Sequence, residues 1–163
     1  MARFVASTIL ATTLSLAVSK EGEAVTARLN AATEHLRASD TIGRASIHAD
    51  LDNLVFEGRS EGWDGYGAFA IDSESARIAH KVLDAAPATT RVSVSVGAEA
   101  DGQVTIEWHK SASWTLSVSV SPSGELHYAA LLGSSSAYGT EPFDVTVGMP
   151  ETIQRLIRRI EAA

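Results

Sequence analysis

Glu107, His109 and His127 are the residues whose types could carry acid–base chemistry, and Ser93, Ser95, Ser117 and Ser119 stand around them in alternating positions. A carboxylate, two imidazoles and several hydroxyls would equip a small hydrolase or transferase with an acid, a base and a nucleophile. Strand registers test that reading, because apolar residues must stay in phase across each hairpin. Pairing Trp108 with Leu116 sets Glu107 opposite Ser117 and His109 opposite Thr115. Pairing Val120 with Leu126 sets Ser119 opposite His127. His127 then lies two strands from Glu107, roughly 10 Å or more at about 4.8 Å per strand. The groups do not meet directly, and Ser alternating with Val reads as the solvated face of a sheet.

A second concentration of unusual residues is EGWDGYGAFAID, residues 61–72, which holds Trp63, Asp64, Tyr66 and three Gly. Positive φ at Gly65 and Gly67 allows a sharp turn, with both rings inserted between a helix and the sheet and Asp64 bonding nearby amides. That makes the segment an anchor. The same residues, joined by Tyr138 of GSSSAYGTEP (133–142), also suit a recognition surface for a protein partner, since Tyr and Trp dominate such contacts. A carbohydrate-binding role for Trp63 and Tyr66 would need both rings exposed and a secreted chain.

Other signatures fail. GSSSAYG is not the G-x-S-x-G nucleophile elbow, and Gly62, Gly65 and Gly67 match neither a phosphate-binding loop nor a dinucleotide fingerprint. The five His, at 35, 48, 80, 109 and 127, show no metal-ligand spacing, and His35, His48 and His80 read as solvated on helix surfaces. There is no Cys, hence no disulfide and no thiolate ligand or nucleophile. No cofactor and no metal are expected. Arg158 and Arg159 read as a solvated helix face.

The 163 residues are 45% hydrophobic and 20% charged, which fits one globular domain with its own core. Twenty acidic residues against 13 basic ones give a net charge of −7, which disfavours direct contact with a nucleic-acid backbone. The N-terminal stretch MARFVASTILATTLSLAVSK resembles a signal sequence, with Ala17-Val18-Ser19 shaped like a cleavage site, yet five Ser and Thr interrupt its apolar run. It is too short and too polar to span a membrane. A cytoplasmic setting is the expectation, with secretion the less favoured one.

These residues need elements to position them. Leu10, Leu14, Val18, Val25, Leu29, Ala32 and Leu36 form one helical stripe, with a break expected near residues 20–23. Packing of that stripe against a second copy would give a homodimer. Ser39 and Asp40 are expected to cap a second helix carrying Ile47, Leu51, Leu54 and Val55. Asp72 and Ser73 are expected to cap a third, with Ile78, Ala79, Val82 and Leu83 inward.

After Pro87 the period becomes two. RVSVSVG, QVTIEWHK, WTLSVSV and ELHYAAL predict four antiparallel strands, with turns at Asp101-Gly102 and 121–124. FDVTV is expected as a fifth strand and 133–142 as a mobile loop. Pro150 opens a C-terminal helix with Ile153, Leu156, Ile157 and Ile160 inward. The prediction is an α+β fold: an antiparallel four- to five-stranded meander with N-terminal helices and a C-terminal helix packed on one face. Within a single domain of 1–163 the parts are a helical segment (1–58), a Gly/aromatic link (59–72), a helix (73–86), the sheet (91–147) and a last helix (150–162).

GWDGYGA followed by a helix, then DGQVTIEW, a turn and SPSGELHY resembles a pattern in small uncharacterised bacterial proteins, often of the accessory genome. The likeness covers roughly residues 61–130. It brings no assigned activity and no catalytic residues; what it implies is a context in which antitoxin-, immunity- or anti-defence-type binders are frequent. The reading is therefore a protein-binding module that occludes a partner's surface, with Trp63, Asp64, Tyr66 and Tyr138 as contacts and no direct nucleic-acid or membrane partner.

Overall fold

The computed structural model describes residues 20–163, and the chain divides into two units, residues 1–36 and 37–163. The signal-like stretch and Leu10, Leu14 and Val18 lie outside the described residues, as do the side chains of Val25, His35 and Leu36. In the first unit residues 20–36 are helical, with Leu29 63% exposed and Ala32 also exposed. They belong to α1 (Lys20–Glu57), which runs unbroken through both positions where an interruption was expected, near Gly22 and at Ser39 and Asp40. A single Gly in a helix costs only about 1 kcal/mol, and a capping residue stops a helix only where its backbone leaves helical φ/ψ.

The second unit holds the rest of α1, then α2 (Ser73–Ala85), five strands, and α3 (Glu151–Ala162). The strands are β1 (Ser93–Ala98), β2 (Val104–Ser111), β3 (Trp114–Val120), β4 (Glu125–Leu132) and β5 (Ser135–Pro142), paired antiparallel in sequence order. The registers match the sequence expectation: Trp108 faces Leu116, Glu107 faces Ser117, His109 faces Thr115, Val120 faces Leu126 and Ser119 faces His127. An antiparallel meander with helices on its apolar face is therefore the architecture.

The core lies between that face and the helices. Val104, Ile106, Trp108, Leu116, Val118, Val120 and Leu126 meet Val82 and Leu83 of α2, Ile153, Ile157 and Ile160 of α3, and Ile47 and Leu51 of α1. Burying each large apolar side chain contributes about 1.5–3 kcal/mol. Asp72 caps α2 by accepting from the amides of Glu74 and Ser75 at 2.8 and 3.1 Å. Glu161 of α3 clamps the chain ahead of β1, accepting from the Thr90 and Arg91 amides and the Thr90 hydroxyl. Partial burial works to raise the Glu161 carboxyl, but these hydrogen bonds outweigh it and hold the group below its ordinary range.

The fifth strand is not where the sequence placed it. Residues 133–142, expected as a mobile loop, turn at Gly133-Ser134 and pair along all of β4 as β5. Gly133 has φ +73 at the first turn position, as a two-residue II′ hairpin requires. Tyr128 lies across Gly139, so an aromatic ring fills the space of the missing side chain. FDVTV forms instead a turn closed by a bridge between Asp144 and Gly148. Asp144 accepts from the Thr146 hydroxyl and amide there, which satisfies a tight turn better than a strand.

Gly102, in the β1–β2 turn, has φ +85, and a Cβ there would stand 2.6 Å from the Ala70 carbonyl oxygen. Gly102→Ala is expected to cost about 1–3 kcal/mol through backbone strain and overpacking, read as a lowered urea midpoint with an unchanged slope.

Candidate functional site

The connection between α1 and α2 is built from its backbone outward. The Ile71 amide donates to the Gly58 carbonyl at 2.8 Å, drawing the two ends of the connection together. Gly62 N–H donates to Ala68 O at 2.7 Å and Gly65 N–H to Gly62 O at 2.9 Å, with Gly62, Gly65 and Gly67 all at positive φ. Two further bonds fasten the connection to the β1–β2 turn: Phe69 N–H to Ala100 O and Asp72 N–H to Gly102 O, both 2.9 Å.

Asp64 organises the tip. Its Oδ1 accepts from the Tyr66 amide at 2.8 Å and the Ala68 amide at 3.1 Å. These two bonds, the Tyr66 one foremost, hold the Asp64 carboxyl below the usual carboxylate range. The Trp63 indole N–H donates to Phe69 O at 3.0 Å.

Both rings were expected to insert between a helix and the sheet, and the structure corrects this. Trp63 is half-buried on the loop itself, held by its own polar handle, while Tyr66 is 96% exposed. Tight turning at three Gly spends the segment's short reach on closing the loop, and the Tyr66 side chain is left pointing outward. Phe69 is 63% exposed and Phe56, in the last turn of α1, 67% exposed. The Arg59 guanidinium lies 3.9 Å from the centre of the Phe56 ring and donates to the Phe56 carbonyl. Sequence reasoning missed Phe56, Arg59 and Phe69; the signal available was an aromatic residue just beyond each end of the Gly-rich turn.

Tyr138 does not join this surface. It lies on β5, 83% exposed, in the cross-strand row Ser95, Glu107, Ser117, Ala129 and Tyr138. The 58–72 connection is fastened to the β1–β2 turn, and β5 is three strand spacings beyond β2, roughly 14 Å. The expected union of the two loops is thus broken by the pairing of 133–142 into the sheet.

Glu107 of that row and His109 of the neighbouring one share the uncovered sheet face, with His109 Nδ1 3.7 Å from Glu107 Oε1 and 3.0 Å from Thr115 Oγ1. His127 bonds Thr140 Oγ1 at 2.9 Å, two strands and one residue pair away from Glu107. These three do not converge, and His109 and His127 are both exposed. Nearby, Thr105 and Ser119 hydroxyls donate to the Glu99 carboxylate, closing that corner of the face among its own side chains. An open cavity of about 450 Å³ lies between α1, the end of α2 and β1, floored by Ile47, Leu83, Val92 and Trp108.

His48 and His80 depart from the expectation of solvated helix-surface residues: they face each other across α1 and α2. Among the described residues no three His, Asp or Glu side chains converge as a metal site, and no helix is long and apolar enough to cross a membrane. Comparison with family models, with curated proteins and with solved structures finds no match.

Because hydrogen bonding lowers the Asp64 carboxyl, its contribution to loop order is present at neutral pH and lost as pH falls through that lowered range. Asp64→Ala is expected to abolish exchange protection of the Tyr66 and Ala68 amides at neutral pH while β3 amides keep theirs. In the unaltered chain the same two amide resonances should move toward unstructured values on acidification.

Proposed function

We propose that this protein is a non-enzymatic protein-binding module that acts by occluding a partner's surface through the 58–72 connection. The observation that carries the reading is Tyr66, 96% exposed on a segment whose backbone is fixed by the Asp64 carboxylate and by bonds to the β1–β2 turn. A large ring held in water gains nothing for folding. Fixing its backbone beforehand lowers the entropy lost on binding, which is how preorganised contacts gain affinity.

The surroundings support the same reading. Trp63, Phe69, Phe56 and Arg59 supply the residue types enriched at the centres of interfaces. The acidic balance of −7 favours a partner with a basic surface, through steering of the encounter. Inhibitors of the antitoxin, immunity or anti-defence kind work by such occlusion, and the resemblance over residues 61–130 points the same way. Tyr138 belongs to a separate patch on the sheet and takes no part in this contact.

Tyr66→Ala is expected to leave folding stability within about 0.5 kcal/mol of the parent, as an exposed substitution does. Loss of a central interface ring costs about 2 kcal/mol or more, which is a dissociation constant weakened roughly 30-fold. The check is capture from the native host with the parent chain, Tyr66→Ala and Tyr138→Ala, followed by calorimetric titration of the purified captured protein. Binding lost in Tyr66→Ala and kept in Tyr138→Ala supports the proposal; equal binding by the parent and Tyr66→Ala rejects it.

A further inference from the structure

The short sequence H-x-x-L-D occurs twice, as His48 to Asp52 on α1 and His80 to Asp84 on α2. Leu51 and Leu83 are both buried, which turns the neighbouring His and Asp of each helix toward the seam between them. The helices cross so that each imidazole reaches the other helix's carboxylate: His48 Nε2 is 3.1 Å from Asp84 Oδ1, and His80 Nε2 is 3.2 Å from Asp52 Oδ1. The two Nδ1 atoms meet at 2.7 Å. The ring planes are 7° apart and the centroids 5.0 Å apart, the separation of two rings meeting edge to edge through their nitrogens.

Counting protons across this chain leads to a definite state. There are three gaps, Asp84 to His48, His48 to His80, and His80 to Asp52, and each hydrogen bond needs one proton. Ionised carboxylates bring none, and a neutral imidazole brings one. Two neutral imidazoles therefore fill two gaps and leave the third as two lone pairs facing each other. One additional proton fills all three. A second additional proton puts N–H against N–H at 2.7 Å and drives the rings apart.

We propose that His48 and His80 form a one-proton clasp between α1 and α2, closed when the pair carries a single added proton and opened by a second. A metal ion in the proton's place does not fit the distance. Two nitrogens on one tetrahedral zinc, each at about 2.0–2.1 Å, stand roughly 3.3 Å apart. Among the described residues, other charged groups at the seam are engaged elsewhere. Arg44 of α1 donates to the carbonyls of Leu83, Asp84 and Ala86, and Lys81 of α2 stands 3.9 Å from Asp84 Oδ2. Arg77, one turn before His80, is paired with Glu74. Asp52 and Asp84 are thus the anions that face the imidazoles.

The consequence for stability has two signs. The chain of three bonds is complete with one added proton, lacks one bond without it and is broken by a second, so the folded state is most stable at an intermediate pH. The clasp joins the two helices that the 58–72 connection links, and its test needs no binding partner.

Nitrogen-15 NMR of the full chain reads the clasp directly. The expected result is a through-hydrogen-bond coupling between the two Nδ1 nuclei at the pH of greatest stability, absent after full protonation. Melting temperature against pH should be bell-shaped in the parent and should lose the bell in His80→Asn. Asp52→Asn keeps both imidazoles but removes one anion, and should shift the first proton uptake to lower pH while remaining folded. Absence of the coupling, with His48 and His80 titrating independently, would overturn the proposal. So would a melting temperature raised by stoichiometric zinc in the parent but not in His80→Asn.

Discussion

A slip of β2 by one residue against β3 would turn Val104, Ile106 and Trp108 to the opposite face, away from Val120, Val118 and Leu116 and into water. That register also decides where every polar group of the sheet goes. With the apolar set inward, Ser95, Glu107, Ser117 and Ala129 form one row on the opposite face, and Thr105, Ser119 and His127 the next. The helices then have a single surface to cover, and α2, α3 and the residues of α1 around Leu51 cover it. The same register leaves His127 two strands from Glu107 and His109, which stand beside each other on the exposed face.

What distinguishes the α1–α2 connection is that its order comes from backbone bonds rather than from burial of its aromatic rings. Asp64 serves two amides, Trp63 serves a carbonyl, and the β1–β2 turn accepts from the Phe69 and Asp72 amides. Side chains so released from structural work are free to contact something else, and Tyr66 is the one most fully presented. In Trp63 the polar atom does the anchoring that the whole ring was expected to do.

The α1–α2 seam joins polar and apolar packing closely. Ile47 and Leu51 enter the core beside Leu83, while Arg44 gathers the carbonyls left open at the end of α2 and the imidazoles bridge to the two Asp. Carbonyls at a helix end need partners, and a guanidinium from another helix can serve three at once. The seam thus depends on side chains contributed reciprocally from two segments about thirty residues apart in the chain.

Local periodicity by itself determined the strands of the meander through β4, the registers of β2 with β3 and of β3 with β4, the Asp72 cap of α2 and the inward face of α3, because alternation and helical spacing are short-range signals set by burial. It also marked 61–72 as unusual. It misplaced the fifth strand: a Ser- and Gly-rich segment has little strand propensity, and β5 owes its conformation to hydrogen bonds from β4 and to the Tyr128 ring over Gly139. Only the tertiary structure decided that Tyr66 faces water, that Tyr138 belongs to another patch, and that His48 meets His80. Each depends on how segments distant in sequence are placed against one another, and the spacing of residues along the chain carries no record of the distance across a seam.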